Sequence, residues 1–293
     1  MSVRIVTDSA SDIPPELAKR FAITIVPVIV SVSGHTTKDY KDGELSHNEI
    51  YRLQEAGYRL STSAPAPGDF KQSFEELLSQ TNEIVTVVIT ARESAVYDVA
   101  LKGKEETLKE HPNCRIAVIN SKSVAMGTGL TVMSAAESAA AGKGFEEVVA
   151  ETNKSISDSK VDAIGILETL RYAIKGGRVV GRVLDKSPIK LRPVLTLKDG
   201  KLQSGVTIRA GKADNKLLEF VMSHQGIRDI AVEYAKDSER EGAEILTSEI
   251  RKQMRSRLPE ESFSNVRFWI SQISAVLGVH TGGGARVVAV RTK

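Results

Sequence analysis

Five short runs, residues 3–7, 23–32, 84–89, 115–120 and 163–167, are largely apolar and are separated by stretches of helical periodicity. A strand with one wet face alternates apolar and polar residues, whereas a strand covered on both faces does not. Parallel neighbours need a crossover of about a dozen residues, and a helix supplies it. The alternation therefore predicts a parallel sheet flanked by helices. The helical patterns lie at 49–55, 70–79, 94–110 and 128–141, and Ser46 with Glu49 makes a capping box for the first. After residue 167 the pattern changes. Asp199-Gly200 separates runs at 193–197 and 202–208, which is the chemistry of a two-residue hairpin turn. A helix at 214–223, a strand at 229–234, a helix at 239–258 and strands at 266–273 and 286–291 follow. The expected fold is α/β in two domains. Residues 1–157 form a parallel sheet with helices on both faces. Residues 158–293 form an α+β unit with a mainly antiparallel sheet. The polar stretch 157–160 marks the boundary, and 293 residues suit two cores better than one.

Composition excludes several function classes. The net charge is +3 with both signs interspersed, unlike the one-sided basic face of a nucleic-acid binder. Cys114 is the only cysteine, so no internal disulfide forms, and no Cys/His spacing suggests zinc. No cofactor is expected. There is no G-x-x-x-x-G-K-[ST] loop, and Gly127-Thr128-Gly129 is too short to stand for one. The start lacks the basic-then-apolar pattern of a signal peptide, and the longest apolar run, 23–32, is too short to span a bilayer. A cytoplasmic location is the expectation.

Five polar segments interrupt this ordinary background. In Thr7-Asp8-Ser9-Ala10-Ser11-Asp12, a strand runs into hydroxyls and carboxylates before Pro14 and Pro15 open a helix, a position that often faces a ligand in α/β folds. Ser61-Thr62-Ser63 precedes Pro65 and Pro67, which enforce an extended loop. Its hydroxyls serve either local turns or an anionic head group. Ser94 opens a helix, where a serine caps and where anions are also favoured. His280-Thr281-Gly282-Gly283-Gly284 reads as a turn whose glycines allow close backbone approach, beside a histidine able to donate to a carboxylate or phosphate. Arg171 and Lys175 are spaced to share a helix face, ahead of Gly176-Gly177-Arg178. Ser94, His280 and an acid such as Asp8 or Asp12 also permit a second reading, a serine hydrolase acting on an acyl ester. No G-x-S-x-G elbow supports it.

Taken in order, these segments resemble the DegV family from about residue 3 to the C-terminus. The family pattern Ser-Gly-Thr-Tyr is Ser94-Ala95-Val96-Tyr97 here, and His-x-Gly-Pro-Gly is His280-Thr281-Gly282-Gly283-Gly284. Arg92 and Glu93 stand where the family usually has small polar residues. The resemblance implies a bacterial protein that binds a long-chain fatty acid in a pocket between the two domains. It implies no catalysis by the chain itself. Instead the chain would be the lipid-binding subunit of a fatty acid kinase, presenting the carboxylate to an ATP-dependent partner. The implied ligand residues are Thr62, Ser63, Ser94, His280 and Gly282, with Arg171 organising the head-group region.

Overall fold

The computed structural model describes residues 3–33, 37–180 and 190–293. In chain order the elements are β1 (Arg4–Asp8), α1 (Pro15–Arg20), β2 (Thr24–Val26), β3 (Ile29–Ser33), β4 (Thr37–Lys41), α2 (His47–Glu55), β5 (Arg59–Ser63), α3 (Pro67–Leu78), β6 (Glu83–Val88), α4 (Val96–Glu110), β7 (Arg115–Asn120), α5 (Ala125–Ala140) and α6 (Phe145–Ser157). Then come β8 (Val161–Ile166), α7 (Arg171–Lys175), β9 (Leu191–Lys198), β10 (Lys201–Arg209), α8 (Ala213–Met222), β11 (Ile227–Tyr234), α9 (Arg240–Arg257), α10 (Glu260–Ser264), β12 (Arg267–Gln272), α11 (Ala275–Thr281) and β13 (Arg286–Thr292).

A four-stranded sheet in the order β2-β1-β6-β7 is parallel throughout. Phe70, Phe74, Val96 and Ala100 of α3 and α4 cover one face, and Leu130 and Met133 of α5 with Val148 of α6 cover the other. Burial on both faces is why these strands lack alternation. The second sheet, β10-β9-β8-β13-β11-β12, is antiparallel except for the β11/β12 pair. Leu217, Val221, Leu246 and Ile250 of α8 and α9 pack on its outer face. Ala163, Ala231 and Ala289 on its inner face meet α5. The chain therefore stacks as helix, sheet, helix, sheet, helix, with α5 at the centre. Burial on all sides explains the Ala, Gly, Ser and Thr content of α5, because small residues let two sheets approach one helix.

Three local expectations are corrected. Residues 23–32 are not one strand. Pro27, which has no N–H to donate, ends β2, and β3 turns away into a separate antiparallel sheet in the order β4-β3-β5. Residues 61–63 are not loop. They form the end of β5, with Thr62 opposite Val30, and the prolines instead end the strand and open α3. Residues 163–167, read with the parallel strands, belong to β8 at the middle of the mainly antiparallel sheet. The Ser46/Glu49 capping box forms as read, with Glu49 N donating to Ser46 Oγ at 3.3 Å and Ser46 N donating to Glu49 Oε2 at 2.9 Å. At the hairpin, Asp199 and Gly200 take φ of 49° and 79°, the paired positive values of a tight β-turn.

A charged cluster ties α5 to the second sheet. Asp229 of β11, fully buried, accepts from Arg267 Nε at 2.7 Å, Arg291 Nε at 2.6 Å and Trp269 Nε1 at 3.3 Å. Arg291 also reaches Glu137 of α5 at 2.9 Å. Burial alone would raise the Asp229 carboxyl, but the two guanidinium groups hold it below its ordinary value.

Candidate functional site

A cavity of about 350 Å³ lies between the inner face of the second sheet, the start of α5, and α11. That volume falls within the range of small-molecule sites. Its body is apolar, with Ala163, Gly165, Leu195, Leu197, Val276 and Val287 among the lining residues. Polar groups include Thr62 and Ser63 from β5, Glu93 and Ser94 from the loop after β6, Arg178 beyond α7, and His280 and Thr281 from α11.

Thr62 Oγ1 and His280 Nε2 are 2.8 Å apart. The opposite ring atom, Nδ1, is buried without a hydrogen-bond partner. It abuts Gly176, where a Cβ would overlap the ring. An imidazolium would carry a second N–H into that dry contact. Burial therefore pushes the His280 pKa down to about 3, and the nearby Arg178 charge adds to the effect. At neutral pH the ring is uncharged, with one donor and one acceptor. With the proton on Nε2, His280 donates to Thr62, and the Thr62 hydroxyl hydrogen is left to donate onward. With the proton on Nδ1, the hydroxyl is spent on the ring and the free donor faces Gly176. The packing favours the first arrangement, which equips the cavity with a hydroxyl donor of fixed direction.

The sequence reading missed how His280 is presented. His280 and Thr281 do not lie in a turn. They end α11, a helix capped by Ser274 Oγ on Leu277 N at 3.4 Å, and Gly282 closes it with φ +75°. Gly282 packs beside Tyr172 and does not line the cavity. Arg171 does not line it either: it is exposed at the start of α7, its N–H donating to Thr169 Oγ1 at 3.1 Å. Thr62, Ser63, Ser94 and His280 do come together, joined by Arg178. Ser94 Oγ also accepts from Val96 N at 3.4 Å. A Gly-Gly doublet after a helix is ordinarily the turn that ends it. Yet the φ of Gly176 is −79°, and the left-handed turn is made by Gly177 at +75°. A doublet in which one glycine suffices for the turn is a signal that the other serves close packing, here against His280.

Asp8 and Asp12, the acids of the hydrolase reading, are buried away from His280. Asp8 accepts from Ala10 N at 2.9 Å and Ile89 N at 2.8 Å, and Asp12 accepts from Ser274 N at 3.2 Å. Burial raises both, Asp8 to about 6 and Asp12 to about 7, with Glu233 sharing the Asp12 site. No carboxylate orients His280 Nδ1, so the relay a serine nucleophile needs is not assembled among the described residues.

The family model described as "Uncharacterised protein, DegV family" matches residues 2–293. The chain belongs to the DegV family. It is 30% identical over 302 residues to a DegV domain-containing protein of Caldanaerobacter subterraneus, covering 99% of each. Among solved structures, a DegV family protein from Thermus thermophilus described for its fatty acid binding superposes with a TM-score of 0.82 at 26% identity, covering 100% of both chains. The fatty acid kinase B3 protein of Streptococcus pneumoniae, loaded with linoleic acid, has the same DegV fold, with a TM-score of 0.81 at 20% identity over 100% of both. No helix among the described residues is long and apolar enough to cross a membrane.

Proposed function

We propose that the chain binds a long-chain fatty acid, with its tail in the apolar body of the cavity and its carboxylate at the Thr62–His280 end. The observation that carries this reading is the pairing of a neutral, buried histidine with a threonine hydroxyl at the polar end of an otherwise apolar cavity. A carboxylate accepts hydrogen bonds and donates none, so its site must be built of donors. Thr62, Ser63 and Ser94 supply hydroxyls, and Arg178 supplies charge. Burying roughly 15 methylenes gains on the order of 12 kcal/mol before ordering costs, so the tail supplies most of the affinity and the head group sets orientation. The fatty acid binding of the Thermus relative supports the same reading.

The chain purified from cells is expected to carry one long-chain fatty acid, released on lipid extraction and identified by mass spectrometry. A lipid-free protein that also fails to take up added fatty acid would sink the proposal. Gly176→Ala is a sharper check of the geometry. The added methyl would push the His280 ring off Thr62. Fatty acid affinity is expected to fall about tenfold, the equivalent of one weakened charge-assisted bond, with little change in thermal stability.

The same reading extends to a partner. A chain that holds the tail and leaves the carboxylate at the polar end suits a non-catalytic subunit whose lipid is phosphorylated by an ATP-dependent kinase. Arg171, exposed at the start of α7, is then a residue for the partner or the transferred phosphate more than for the lipid itself. The test mixes the protein, fatty acid and ATP with and without a fatty acid kinase catalytic subunit. Acyl phosphate is expected only when that subunit is present, and its formation by this chain alone would refute the carrier role.

A further inference from the structure

The polar end of the cavity contains one group that a carboxylate site does not need. Glu93 is an acid, half-buried, lining the same cavity as Ser94, Arg178 and His280. It is held there: Glu93 Oε1 accepts from Leu202 N of β10 at 2.8 Å. Three residues earlier, Thr90 Oγ1 donates to Gly200 O at 2.7 Å, so the loop after β6 is stitched to the β9–β10 hairpin. Swinging the Glu93 side chain out of the cavity would break this contact and leave a partly buried N–H unpaired.

The charges around it are few. Arg178 acts on Glu93 from beyond α7, and acts on His280 of α11 as well. Lys201 of β10 also acts on Glu93, but it is exposed and does not line the cavity, so solvent screens it. Arg92, its chain neighbour, is exposed too. His280 is neutral. Among the described residues lining the cavity, Arg178 is therefore the single cation and Glu93 the single acid.

Resting on the lipid reading above, we propose that Glu93 makes this cavity select by the charge of the lipid head group, admitting a protonated or neutral head group more readily than an ionised carboxylate. An incoming carboxylate and Glu93 compete for one guanidinium, and two close carboxylates favour the uptake of one proton between them. A hydroxyl or a protonated acid instead donates to the free oxygen of Glu93. Lipid binding is thereby linked to proton uptake, and affinity for an ionised fatty acid falls as pH rises. Burial already raises the Glu93 carboxyl from its ordinary value.

The experiment measures direct binding of palmitate and of hexadecanol to the protein and to Glu93→Gln, from about pH 6 to about pH 9, above the ordinary carboxyl range. Gln keeps an oxygen for Leu202 N, so the hairpin contact survives, and hexadecanol reports any change in the cavity unrelated to charge. In the unaltered protein, palmitate affinity relative to hexadecanol is expected to fall with pH by up to about tenfold per unit, the limit for one linked proton. In Glu93→Gln that slope is expected to flatten, and palmitate is expected to bind more tightly than to the unaltered protein at the alkaline end. Equal slopes in the two proteins would overturn the inference while leaving fatty acid binding in place. So would a Gln variant that weakens both ligands alike, which would mark a purely structural role. If neither lipid binds either protein at any pH, the lipid reading falls and this inference falls with it.

Discussion

Replacing Asp229 by Ala is expected to lower the free energy of unfolding by about 3–5 kcal/mol, read from denaturant titration with the wild-type m-value. The side chain is fully buried and takes donors from Arg267, Arg291 and Trp269. Its loss leaves Arg291, itself only 2% exposed, with Glu137 as its one acid partner among the described residues. An uncompensated buried guanidinium costs far more than a surface pair is worth. The network joins β11, β12 and β13 to α5, so the damage falls on the interface between the two sheets. A pH test follows from the sign of the shift. The folded-state pKa of Asp229 is depressed, so its stabilisation is present above the unfolded value and is lost as pH falls through the folded one. Acid destabilisation below the ordinary aspartate range should accordingly be weaker in the Ala variant. A loss under about 1 kcal/mol would show that the cluster behaves as a surface ion pair.

Thr62→Val is expected to weaken fatty acid binding roughly ten- to hundredfold, because a hydrogen bond to a charged group is worth about 1.5–3 kcal/mol. Valine keeps the shape of threonine at the end of β5, so stability should change little. His280→Phe should cost a similar factor for a different reason: it leaves the Thr62 hydroxyl in place but no longer aims it. If the two residues act in series, the double variant loses little more than either single one, and the cycle shows strong coupling. Calorimetric titration of one fatty acid against the four proteins settles the point. Full additivity would mean that the residues contact the ligand separately. Wild-type affinity in both single variants would move the head group elsewhere.

Much of the site was legible as residue types and little of it as geometry. The hydroxyls of Thr62 and Ser63 stood out because Pro65 and Pro67 follow them, and Ser94 because it opens a helix after an apolar run. His280 stood out against its glycines. Gly176, Arg178 and Glu93 were visible as residue types too, but not as its neighbours. Gly176 makes room for the ring, Arg178 shares its surroundings, and Glu93 lines the same cavity. These three lie over a hundred residues from His280, and nothing local in the chain indicates that they meet. The placement of Arg171 and Gly282 outside the cavity has the same origin, since spacing along the chain does not fix where a five-residue helix points a side chain or where a helix cap runs its backbone.

Local chemistry is what the sequence determined by itself: the doubly covered strands, the Ser46 capping box, the Asp199-Gly200 hairpin and the change from parallel to antiparallel character along the chain. Each depends on residues within a few positions of one another, where backbone sterics and short-range hydrogen bonds decide the outcome. Only the tertiary structure decided that Pro27 divides one apolar run between two sheets, that α5 is shared by both, and that Asp229 gathers Arg267 and Arg291. It alone also decided that a histidine at the end of α11 meets a threonine at the end of β5. These outcomes depend on burial. Burial sets the strength of a charge pair, the protonation of a histidine and the need for a partner, and it exists only once distant segments have packed together.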